Sequence, residues 1–185
     1  MKADFNVVLD SCVLANFAVC DLLLRLAERP RLFLPVWSDT ILQEVHRTQV
    51  EKLNWEKRLA DSFRKELSRA FPGANVQGYE KIIPSLTNEE KDRHVLAAAI
   101  HSGSSLILTF NLRDFSTQAL SPWCVKASHP EDYLLILYEM EPVQVANRVA
   151  AIAARRGLDQ EDVLLQLGKV LPRFSSKLIM DLDMA

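Results

Sequence analysis

Four acidic side chains stand where a packed core has no use for charge. Asp10 follows the short apolar run Val7-Val8-Leu9, and Glu44 lies beside the apolar stripe of Ile41, Leu42 and Val45. Asp92 opens an alanine-rich helical stretch, and Asp114 comes soon after Leu106-Ile107-Leu108, with the polar Asn111 between. Carboxylates gathered at one place repel and raise one another's proton affinity unless a cation neutralises them. Hard oxygen donors suit Mg²⁺, with Mn²⁺ as its substitute, and such an ion can activate water or stabilise the leaving oxygen of a phosphodiester. Each residue also has a structural reading. Asp10 suits an N-cap, Asp92 suits the positive end of a helix dipole, and Asp114 suits a turn. Spacing alone leaves both readings open.

The elements that would gather these residues alternate in type. A buried strand over 5–9 is followed by a helix over 15–27, a short strand at Leu32 to Val36, and a helix capped by Ser38 or Asp39 that carries Glu44. Trp55, Leu59, Phe63 and Leu67 recur every four residues, which predicts a long amphipathic helix over 54–71, closed by Pro72-Gly73. Residues 73–88 read as a loop. Thr87 or Asn88 then caps a helix over 89–100, Ser105 to Phe110 forms a second strong strand, and Trp123-Cys124-Val125 a weak one. This alternation predicts an α/β fold with a parallel sheet between helices. Ligands of such sheets lie beyond the carboxyl ends of the strands, so neighbouring strong strands would bring Asp10, Glu44, Asp92, Asn111 and Asp114 to one edge. From Pro130 the chain reads as helices only, over 131–138, 143–155 and 159–171, with Pro172 as a stop. We divide the chain into 1–127 and a helical extension, 128–185.

The 185 residues are 49% hydrophobic and 25% charged, the composition of an ordinary globular chain with one main core. Their net charge of −2 argues against nonspecific coating of nucleic acid through a broad basic face, yet permits a local basic rim. Arg93 and Arg113, each flanking a candidate acid, are the best placed to meet phosphates. Cys12, Cys20 and Cys124 form no C-x-x-C pair and read as reduced, buried thiols. No apolar run reaches membrane-spanning length and none resembles a signal peptide, so the expected location is the cytoplasm, away from any membrane.

Leu9-Asp10-Ser11-Cys12-Val13-Leu14, Ile41-Leu42-Gln43-Glu44-Val45, Asp92-Arg93-His94-Val95-Leu96-Ala97-Ala98-Ala99 and Thr109-Phe110-Asn111-Leu112-Arg113-Asp114-Phe115 resemble the four successive acidic motifs of the PIN-domain ribonucleases. The resemblance is greatest to the VapC toxins of bacterial toxin–antitoxin pairs and covers roughly the first two-thirds of the chain. The stretch from Gly168 to Leu178, with Leu171-Pro172-Arg173-Phe174, also resembles the helical C-terminal extension of one longer VapC subgroup. The resemblance implies a three-layer PIN-like fold and Mg²⁺-dependent endonucleolytic cleavage of transfer or ribosomal RNA. It carries over Asp10, Glu44, Asp92 and Asp114 as the acidic, metal-holding quartet, with Asn111 as a polar aid. It also implies a VapB-like antitoxin as partner and a homodimer, for which the amphipathic helix after Trp55 is a candidate surface.

Other chemistries fare less well. The four histidines make no zinc-like spacing with cysteine, and Ser11 has no evident His/Asp partner. His94 is near Asp92 in sequence, but a packed histidine is the commoner case. A haloacid-dehalogenase-type phosphatase would want a second Asp where Cys12 stands. A response-regulator receiver would want an acidic pair and a late lysine that have no counterpart here. A catalytically silent PIN-like interaction module is the remaining alternative.

Overall fold

The computed structural model describes residues 5–183; the outermost residues of the 1–127 and 128–185 segments lie outside the described residues. Val7, Val8 and Leu9 in β1 (Asn6–Leu9) are all fully buried, so both faces of this strand are covered. That pattern belongs to the centre of a parallel sheet between helical layers. Asp10 ends β1 and caps α1 (Ser11–Ala15), after which Asn16 breaks the helix and caps α2 (Phe17–Ala27) through its side chain. The helix expected over 15–27 is α2, and α1 is an additional short helix before it.

β2 (Leu34–Ser38) runs two residues further than its apolar pattern suggested, and the Ser38 hydroxyl accepts the Ile41 N–H to start α3 (Asp39–Glu51). α4 (Lys57–Ala70) follows. The stretch expected to be loop contains β3 (Asn75–Val76) and a 3₁₀ turn over Glu80–Ser85. A second 3₁₀ turn, Glu90–Asp92, leads into α5 (Arg93–His101), so Asp92 itself, not Thr87 or Asn88, occupies the cap position. β4 (Leu106–Leu108), α6 (Thr117–Leu120) and β5 (Lys126–Ser128) complete this half. β5 begins three residues beyond the start of the weak strand expected at Trp123. There Cys124 takes a left-handed backbone conformation (φ 54°) after a 3₁₀ turn and cannot extend a strand.

The five strands are parallel in the order β3-β2-β1-β4-β5. β1 pairs directly with β4, Leu9 opposite Leu108, and the Asp10 N–H continues the ladder to the Leu108 carbonyl at 3.0 Å. The two strong strands are neighbours, as the convergence of the acids required. α5 packs across β1, β2 and β4, with Ala97, Ala98 and Ala99 fully buried where a larger side chain would hold the helix off the sheet.

From Pro130 the chain is all helical: α7 (Pro130–Met140), α8 (Pro142–Arg156), α9 (Gln160–Gly168) and α10 (Pro172–Asp183). All four lie in the extension expected to be helical, but Pro172, read as a stop, instead starts α10 at the position where a missing N–H costs least. Glu131 on α7 supplies the cap, accepting the Arg173 N–H at 2.7 Å and the Phe174 N–H at 3.3 Å. One continuous apolar cluster runs from Val7 through Leu137 and Val149 to Leu178. Of the three cysteines, Cys20 is buried, Cys12 is half-buried and Cys124 is exposed, which corrects the expectation of three buried thiols. No helix among the described residues is long and apolar enough to cross a membrane.

Candidate active site

Asp10 is 3% exposed at the carboxyl end of the central strand. Its Oδ1 accepts the Ser11 N–H at 2.6 Å, and its Oδ2 accepts the Thr109 hydroxyl at 2.7 Å from the end of β4. Two longer contacts, from the Ser11 hydroxyl at 3.4 Å and the Cys12 thiol at 3.2 Å, complete its surroundings. The thiol is a donor here, since burial and the neighbouring Asp10 charge push its pKa up to about 12. Thr109 also accepts the Asn111 N–H at 3.0 Å, which fixes the turn that follows β4.

Asp92 reaches the same edge from the start of α5. Burial, the Asp10 charge and the nearby Asp114 raise its carboxyl to about 6, although Lys91 opposes the shift. Its Oδ2 is buried and accepts no hydrogen bond, with Lys91 Nζ 3.7 Å away. Asp114 lies in the 3₁₀ turn Leu112–Asp114 and accepts from Lys91 Nζ at 3.0 Å. That bond, the Lys91 charge, a hydrogen bond with Asp92 and the Arg113 charge hold the Asp114 carboxyl below the usual range. Asp10, Asp92 and Asp114 thus interact as a group, with one lysine between the latter two.

Glu44, on α3, is linked through His94 to the helix that carries Asp92. His94 Nε2 lies 3.1 Å from Glu44 Oε1. Burial pushes the Glu44 carboxyl up, but the hydrogen bond and charge of His94, with Ser11 and Arg47, outweigh it and hold the group below its ordinary value. Asn111 is exposed on the turn after β4. Arg93 is half-buried and donates through Nε to the Asn88 carbonyl at 3.2 Å, whereas Arg113 is exposed.

Among the described residues no three His, Cys, Asp or Glu side chains are drawn together as a finished metal cage. The donor set nonetheless fits a hard cation. Each Asp10 oxygen holds one short bond and keeps lone-pair capacity, Asp92 Oδ2 is buried and accepts no hydrogen bond, and the mutual repulsion of the acids is what a cation relieves. A cavity of about 810 Å³ opens at the other end of the sheet, among Arg29, Leu34, Phe71 and His101, and none of the four acids lines it.

Over 103 residues, 37% are identical to a curated relative from Mycobacterium tuberculosis whose name is "Putative ribonuclease VapC50". The match covers 54% of this chain and 61% of the relative's length. No family model and no solved structure matches the chain.

Three residues around the acids were not singled out from the sequence as part of the site: Lys91, Cys12 and Thr109. Thr109 sits one place beyond β4 on the strand beside Asp10, a signal readable only once β1 and β4 are paired. Lys91 immediately precedes an acid, but so do many surface lysines. His94 lies two residues after Asp92 and was weighed as a neighbour of the site, with a helix-surface or packed histidine as the commoner case; its partner is 50 positions away.

Proposed function

We propose that the protein is a Mg²⁺-dependent endoribonuclease, the toxin of a toxin–antitoxin pair, acting in the cytoplasm on transfer or ribosomal RNA and held inactive by a VapB-like antitoxin. The observation that carries this reading is the group of Asp10, Asp92 and Asp114 at the carboxyl edge of the sheet, with one buried Asp92 oxygen that accepts no hydrogen bond. The ribonuclease name of the relative supports the same reading.

In this reading Asp10 and Asp92 would hold the ion, with Asp114 and Glu44 completing its surroundings. When bound, a hard divalent cation supplies Lewis acidity and offsets the negative charge that grows on the phosphate. Glu44, whose carboxyl stays ionised, orients the attacking water and takes its proton as the new O–P bond forms. The bond from phosphorus to the 3′-oxygen breaks, and that oxygen takes a proton from solvent. The products are a 5′-phosphate and a 3′-hydroxyl. Arg93 and Arg113 neutralise phosphates beside the site, and Asn111 offers a polar contact from the turn after β4. Phe17, Leu53 and Leu59 are each about half exposed near α4, apolar surface that fits a homodimer or antitoxin contact.

The test joins two readouts on purified, antitoxin-free protein. Mn²⁺ or Mg²⁺ raises the melting temperature of the wild type but not of Asp10→Asn, and cleaved RNA carries 5′-phosphate ends. Cyclic 2′,3′-phosphate ends would contradict the mechanism. No metal-dependent shift together with no cleavage would favour the silent interaction module.

A further inference from the structure

Outside the acids themselves, the most constrained polar side chain at this edge is His94. It is 9% exposed, on the first turn of α5, and Nε2 meets Glu44 Oε1 at 3.1 Å across to α3. Because Glu44 is a carboxylate, Nε2 carries the proton and donates. The other ring nitrogen, Nδ1, is buried without a partner, so this single bond is the ring's polar engagement among the described residues. A buried imidazole with one orphaned nitrogen is a poor choice for packing alone, since an apolar side chain would fill the space without the desolvation cost.

We infer that His94 is a positioning residue for Glu44. The bond ties the carboxylate on α3 to the helix whose start carries Asp92, so the two acids keep one relative placement. Without it, Glu44 on its half-exposed helix face keeps only the Ser11 contact, and its three rotatable bonds let it turn toward water or toward Arg47. Loss of a residue that orients a catalytic or metal-holding group typically costs about 10–100-fold in activity. The inference rests on the nuclease reading above, because it takes Glu44 to act on the attacking water.

The test uses the full chain with His94→Leu, His94→Gln, Glu44→Gln and the double variant His94→Leu/Glu44→Gln. Gln places an amide donor close to where Nε2 lies, whereas Leu fills space and donates nothing. Three measurements are made on each: melting temperature, its shift on adding Mn²⁺, and single-turnover RNA cleavage. His94→Leu should lose roughly 10–100-fold in the cleavage step with little change in RNA affinity. His94→Gln should recover most of that loss, and the double variant should be no slower than Glu44→Gln. The Mn²⁺-induced stabilisation should persist in His94→Leu, since Asp10 and Asp92 are untouched. A folded His94→Leu that cleaves at the wild-type rate, losses that multiply in the double variant, or a His94→Leu that no longer responds to Mn²⁺ would each overturn the positioning role. A wild type that cleaves no RNA would overturn the nuclease reading itself and this inference with it.

Discussion

Replacing Asp92 by Asn should stabilise the metal-free protein while abolishing its activity. The folded state raises the Asp92 carboxyl from 3.8 to about 6, chiefly through burial and the Asp10 charge. At 1.36 kcal/mol per tenfold change in proton affinity, the ionised form is disfavoured by at most about 3 kcal/mol. Solvent screening at this partly accessible site roughly halves that, to about 1–1.5 kcal/mol. For a chain of this size the gain corresponds to about 3–5 °C in melting temperature. The sign follows from linkage: a carboxyl whose folded pKa is raised favours folding while protonated, and that contribution is lost as pH rises through about 6. Wild type and Asp92→Asn should therefore melt together below about pH 3.8 and separate between about pH 4 and 6, with the variant higher at pH 8. Asn also retains an amide that can donate to Asp114, while Lys91 keeps its 3.0 Å bond to that residue. The assay is thermal unfolding in EDTA across this pH range. Addition of Mn²⁺ at pH 8 should then raise only the wild type. Equal melting temperatures in EDTA at pH 8, or a less stable variant, would refute the claim that Asp92 is held against like charge.

Thr109→Val removes the hydroxyl that donates to Asp10 at 2.7 Å and leaves a buried carboxylate short of a donor. It should cost about 1.5–3 kcal/mol by urea unfolding, with Thr109→Ser restoring most of it; a Val variant as stable as wild type would contradict the assigned bond. Glu131→Ala strips the acceptor from the Arg173 and Phe174 N–H groups and from the Arg173 side chain. A loss of about 3 kcal/mol is expected, with proteolysis beginning within α10; cutting that begins elsewhere would show that α10 is held by its apolar face alone. Lys91→Met removes the cation between Asp92 and Asp114, so the metal-free protein should melt lower at pH 8 and gain more from Mn²⁺ than wild type does. An unchanged gain would mean that Lys91 neutralises nothing at the site.

The sequence made the sheet edge legible because its signals were strong and local. Val7-Val8-Leu9 and Leu106-Ile107-Leu108 are apolar runs with acids just beyond them, and the alanine run of α5 implies close approach to a sheet. The partners of those acids were not legible, because hydrogen bonds such as Thr109 to Asp10 and His94 to Glu44 join residues 99 and 50 positions apart. The weak elements went astray for a different reason. β5 is a short, largely polar strand, so the apolar Trp123-Cys124-Val125 beside it attracted the assignment, although Cys124 turns left-handed there. Pro172 was ambiguous in itself, since proline both ends helices and opens them, and its cap comes from Glu131 on another helix.

The central claim is most directly tested by incubating the purified, antitoxin-free chain with end-labelled total transfer and ribosomal RNA in Mg²⁺, with EDTA and Asp10→Asn alongside. Discrete fragments that disappear in both controls are the result the acidic edge predicts, and cleavage that survives EDTA or the loss of Asp10 would contradict it.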